Sequence, residues 1–265
     1  MKKFGFILPV LMVVLFSMLS TRMLSSGAVN PLTMIGAAAV MFLIMFLVRP
    51  KKAAPKPASD VEKQILGDYA ADAFADDPQL GARFQAALKD YRSNMPKAAL
   101  NKLQKLAPQC TGDKEVYAVA LACALCMISV DKHKDAIREY VRALNIHPTS
   151  GIAMELGSCY QRLGELNKAK DTYQYALDLD SGNLEARCKL ATAYVADGAY
   201  QMGLDQALLV LQQEETNASA LATAAICYGL MGEPLLHRHY TDKAVENGYK
   251  KEKITNTVDA LKKRK

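Results

Sequence analysis

From residue 78 onward the apolar positions recur every three or four residues in blocks of roughly a dozen, and short polar breaks separate the blocks. That is the spacing of amphipathic helices joined by tight turns. The clearest case predicts one helix over 152–163 and a second over 167–179, with Gly164 between them free to take the positive φ that ends a helix. The pattern repeats. Tyr160, Tyr194 and Tyr228 are 34 residues apart, as are Gly164, Gly198 and Gly232. Ala136, Tyr140 and Ala143 stand 33 residues before Ala169, Tyr173 and Ala176. A single hairpin of this kind has an apolar face it cannot bury alone, so the period implies stacked neighbours. Units are expected at 117–149, 150–183, 184–217 and 218–249. A degenerate unit at 78–107 carries Phe84, Ala87, Ala99, Leu103 and Leu106. The expected fold class is all-α.

Leu156-Gly157, Tyr160, Gly164, Ala169, Tyr173 and Ala176 resemble the tetratricopeptide signature of L-G-x-x-Y followed by A-x-x-x-F. The resemblance covers about two-thirds of the chain and weakens outward. Gly203 and Ala207 replace the alanine and the aromatic in the third unit, and His237 and Thr241 do so in the fourth. It implies an α-solenoid whose first helices line a concave groove. Projecting the repeat register puts Leu121, Ala122, Leu125, Ile128, Met154, Glu155, Ser158, Arg162, Lys189, Thr192, Val195 and Ile226 on that groove. Its first part is apolar and the next two units add mixed charge. Family members that clamp a C-terminal carboxylate use lysine, asparagine and arginine there. Here asparagine is absent and Arg162 and Lys189 are the only bases, so the expected ligand is an amphipathic helix or extended segment with apolar anchors.

Upstream the pattern changes. Residues 4–21 and 31–48 are each eighteen residues without a charge. As helix, each is about 27 Å long, close to the ~30 Å hydrocarbon core of a bilayer. Together they predict a transmembrane helical hairpin ahead of the solenoid, with Thr33 and Ala37 as a small-residue pair for close packing. A cleaved signal peptide over 1–28, ending at Ser26-Gly27-Ala28, is the rival reading. Residues 50–59 read as a proline- and lysine-containing linker. Residues 60–116 read as a capping helix, in which Val61, Ile65, Leu66, Tyr69, Ala73 and Phe74 cluster on one side, plus the degenerate repeat. That helix is a second candidate to cover part of the groove. Residues 250–265 read as a basic capping helix.

Charge sharpens this picture. The net charge of +6 lies wholly in residues 1–60, which hold seven Lys/Arg against Asp60, while the remaining 26 basic and 26 acidic residues cancel. The surplus flanks the apolar segments, so it argues for membrane orientation and against nucleic acid. Lysines on both flanks predict a multi-pass protein of the bacterial inner membrane, with its N-terminus and repeats cytoplasmic. Lys51, Lys52, Lys56 and the tail from Lys250, with seven basic residues, are candidates for anionic-lipid contact.

Candidate chemistry is sparse. Cys126, Cys159 and Cys227 occupy one place in three of the four units, which suits small buried hydrophobes better than a disulfide framework. Cys123-Ala-Leu-Cys126 has no second pair or nearby histidine. His237 and His239, two apart on a helix, point in different directions. No catalytic constellation, metal site or cofactor loop is expected, and Asn217-Ala-Ser219 is a sequon without a predicted role. The leading expectation is a membrane-anchored scaffold that binds protein partners through its groove. The alternative is an oligomerising membrane component or transporter subunit, forming a homo-oligomer through the spans, with the repeats regulatory.

Overall fold

A computed structural model describes residues 72–263. Among them every regular element is helical: α1 (Pro78–Arg92), α2 (Pro96–Leu106), a 3-10 turn (Ala107–Gln109), α3 (Asp113–Ser129), α4 (His133–Ile146), α5 (Ser150–Arg162), α6 (Leu166–Leu179), α7 (Leu184–Ala196), α8 (Tyr200–Gln213), α9 (Ala218–Met231), α10 (Pro234–Glu246) and α11 (Lys251–Lys262). Odd- and even-numbered helices up to α10 pair as hairpins, and each hairpin leans on the next. The first helices also touch one another directly, α5 with α7, α7 with α9 and α9 with α11, so they form one layer.

The turns explain the period. Residues in the left-handed region follow each first helix: Asn94, Asp131, Gly164, Gly198 and Gly232. At each, the chain reverses through a wide backbone bond. Glu165 N–H donates to the Tyr160 carbonyl at 3.0 Å, Ala199 N–H to Tyr194 at 3.0 Å and Glu233 N–H to Tyr228 at 2.9 Å. The repeating tyrosine and glycine are thus the two ends of one helix-stopping motif. The first helices begin just as regularly. The side chains of Thr149, Asn183 and Asn217 accept from the backbone N–H of Ile152, Ala186 and Ala220, each satisfying an otherwise orphaned donor. In α3 the same end is served by Glu115, whose carboxylate accepts from Thr111 and Gly112 N–H.

Packing within a hairpin rests on small residues facing large ones. A Cβ at Gly157 would sit 2.7 Å from the Tyr173 ring, so only glycine lets α5 approach α6 this closely. Tyr117, Tyr140 and Tyr173 are fully buried, as are the alanines beside them. The core runs continuously from Ala73, Phe74 and Phe84 through α3, and a C-terminal cluster joins α7 and α9 to Ile254 and Val258 of α11.

The expected placement in the bacterial inner membrane is corrected by the helices themselves. Among the described residues none is long and apolar enough to cross a membrane. The longest, α3, has seventeen residues, about 26 Å, and the uncharged α9 has fourteen, about 21 Å. Residues 4–21 and 31–48, the linker at 50–59 with Lys51, Lys52 and Lys56, and most of the helix expected from residue 60 lie outside the described residues.

Candidate peptide-binding groove

The layer of first helices carries an open recess of about 540 Å³ lined by Gln161 of α5, Leu184, Glu185, Cys188, Lys189 and Thr192 of α7, and Glu214, Asn217 and Ser219 where α8 gives way to α9. Helix geometry builds the wall. Glu185, Lys189 and Thr192 are spaced by four and three residues, so they share one face of α7. Ser219 holds the place in its unit that Glu185 holds 34 residues earlier.

Short hydrogen bonds fix the rim. Asn217 caps α9 by accepting from Ala220 N–H at 3.0 Å, while its amide donates to Glu214 Oε2 at 2.8 Å. Thr192 Oγ1 donates to the Lys189 carbonyl at 2.8 Å. On α5 the buried Tyr173 hydroxyl donates to Gln161 Oε1 at 2.8 Å, with Ser158 Oγ 3.2 Å away. Gln161 therefore spends its acceptor on the core and keeps its amide N–H groups for the recess.

The charged groups of this face are held apart. Among the described residues Glu155, Arg162, Glu185 and Lys189 form no ion pair within 4 Å, whereas Lys170 and Asp197, Lys168 and Glu165, and Arg138 and Asp135 pair elsewhere on the surface. Burial raises the Glu155 pKa above the usual carboxylate value; Lys189 offsets part of that, Glu185 adds to it and Arg162 opposes it. Cys188, at the floor, is pushed up to about 11 by burial and then by the Glu185 and Glu214 carboxylates. Such a thiol is protonated and inert at neutral pH. The other five described cysteines are likewise buried and free. Among the described residues no group of three or more His, Cys, Asp or Glu could hold a metal ion.

The positions projected from the repeat register divide into two sets. Lys189 and Thr192 line the recess, and Glu155, Ser158 and Ile128 are half-buried, with Arg162 exposed. Leu121 and Ala122 are buried, within a run from Tyr117 to Met127 of α3 that is buried without a break. Leu125, Met154, Val195 and Ile226 are each no more than 9% exposed. Sequence reasoning missed Gln161, Leu184, Glu185, Cys188, Glu214, Asn217 and Ser219. For Glu185 the signal was present, one turn before Lys189 on the same face.

No protein-family model matches the sequence, and no curated protein matches it. Solved structures do. The chain is similar to the crystal structure of MamA, with 19% identity, coverage of 63% of this chain and 96% of that one, and a TM-score of 0.56. It is similar to YrrB, described as a TPR protein with an unusual peptide-binding site, at 18% identity, 68% and 92% coverage and a TM-score of 0.55. A tetratricopeptide repeat protein from Parabacteroides merdae gives 16% identity, 74% and 73% coverage and a TM-score of 0.60. At these identities the likeness establishes the fold, a tetratricopeptide-like solenoid.

Proposed function

We propose that this protein is a binding scaffold that captures a peptide segment of a partner protein along the concave layer of α5, α7 and α9, and that it acts by binding and not by catalysis. The observation carrying this reading is the recess between α7 and α9, whose volume of about 540 Å³ falls in the range of ligand sites. Among the described residues its Glu185, Lys189 and Glu214 form no ion pair. Lys189 is half-buried, and a half-buried charge without a partner is costly unless something else completes it. The fold neighbour described by a peptide-binding site points the same way.

The experiment is crosslinking of the full chain in its source cells followed by mass spectrometry, beside Glu185→Arg with Ser219→Arg, which fills the recess with bulky cations. Both side chains are exposed, so the double variant is expected to keep its helical signal and melting temperature. The account predicts a discrete partner set that the variant loses. An undiminished set would show that the partners bind elsewhere.

A further inference from the structure

The recess is not electrically neutral at its floor. Glu185 and Glu214 bracket Cys188, and both carboxylates act on its thiol more strongly than the Lys189 ammonium does. Lys189, the only base lining the recess, is also the leading charge acting on Glu155 one helix away, so its charge is shared with a third carboxylate. The surrounding polar groups are those an extended main chain needs. Gln161 offers amide donors and Glu185 offers acceptor oxygens, and among the described residues Glu185 forms no ion pair. A helical ligand satisfies its own backbone and would leave the half-buried Gln161 amide unmatched, whereas an extended segment presents free N–H and C=O groups to these side chains.

We infer that the recess between α7 and α9 receives a lysine or arginine side chain, carried by an extended peptide segment of a partner protein, between the carboxylates of Glu185 and Glu214. This rests on the groove reading above and specifies which peptides that groove selects. The complementarity is of charge and of hydrogen-bonding type together: a cation between two carboxylates, with main-chain groups running past Gln161 and Thr192. An acidic peptide would instead meet an excess of like charge, which discriminates against it.

Random dodecapeptides displayed on phage and selected on the full chain test this. Enriched sequences are synthesised and their binding measured by fluorescence polarisation against three proteins. These are the unaltered chain, Glu185→Gln with Glu214→Gln, and Ser219→Lys, which places the protein's own ammonium in the recess. The glutamines keep the shape and the acceptor for Asn217, and circular dichroism checks that both variants stay folded. The expected result is a shared lysine or arginine among the enriched peptides. Binding should weaken about tenfold in the double variant, close to the loss of one charge-assisted contact, and fall at least as far in Ser219→Lys. It should also weaken as salt is raised. Enriched peptides without a basic residue that bind the double variant undiminished would overturn this inference and leave the groove reading standing. A selection that yields no binding peptide would overturn both.

Discussion

At the scale of single residues, two tyrosines in equivalent places make a controlled comparison. Tyr140 of α4 and Tyr173 of α6 are both fully buried. Tyr173 reaches Gln161 and Ser158. Tyr140 faces the unit in which the corresponding positions are Ile128 and Leu125, and its hydroxyl has no hydrogen-bond partner among the described residues. An unsatisfied buried hydroxyl costs free energy, whereas a made bond contributes about 1 kcal/mol. Tyr173→Phe is therefore expected to lower unfolding stability by about 1 kcal/mol and Tyr140→Phe to leave it unchanged or raise it, as read by urea titration. Equal losses in both would contradict the assignment. This level was only half legible in the sequence. The tyrosine period is visible because every copy must fill the same hole between helices, but which hydroxyl finds a partner depends on residues in a different helix, twelve to fifteen positions away.

Among elements, the helix stops are what the sequence shows best. A left-handed residue is needed wherever a first helix ends, and glycine is its least strained occupant, so Gly164, Gly198 and Gly232 mark three turns directly. Asn94 and Asp131 serve the same turns with a side chain present, which hides the two N-terminal copies from a search for glycine. The caps at Thr149, Asn183 and Asn217 also keep the 34-residue period, but as different residue types. Helix α3 was misleading for another reason: apolar on every side, it offers no stripe from which to choose an inward face. At the opposite end α11 acts as a half-unit, laying Ile254 and Val258 against α9. Ile254→Ala is expected to cost about 3 kcal/mol. Because each repeat touches only its neighbours, the loss should be local. Hydrogen exchange should accelerate first in α9, α10 and α11 while α3 to α6 keep their protection. Uniform acceleration along the chain would show that the array unfolds as one body.

For the whole molecule, stacking hairpins of nearly constant shape puts every first helix on one side, and a surface assembled from five such helices exists in none of them alone. That is why the recess escaped the repeat register. Glu214 and Asn217 reach it from a turn, and Gln161 comes from the preceding unit, a conjunction set by the rotation between successive hairpins. The same stacking explains why Leu121 and Ala122, placed on the groove by register alone, are inside. The central claim is that this layer, and not the outer layer of second helices, receives the partner. A photoreactive amino acid placed at Ser219, exposed beside the recess, and separately at Gln174, exposed on α6, tests that most directly in the full chain. The account predicts partner adducts from position 219 and none from position 174; adducts from 174 with none from 219 would contradict it.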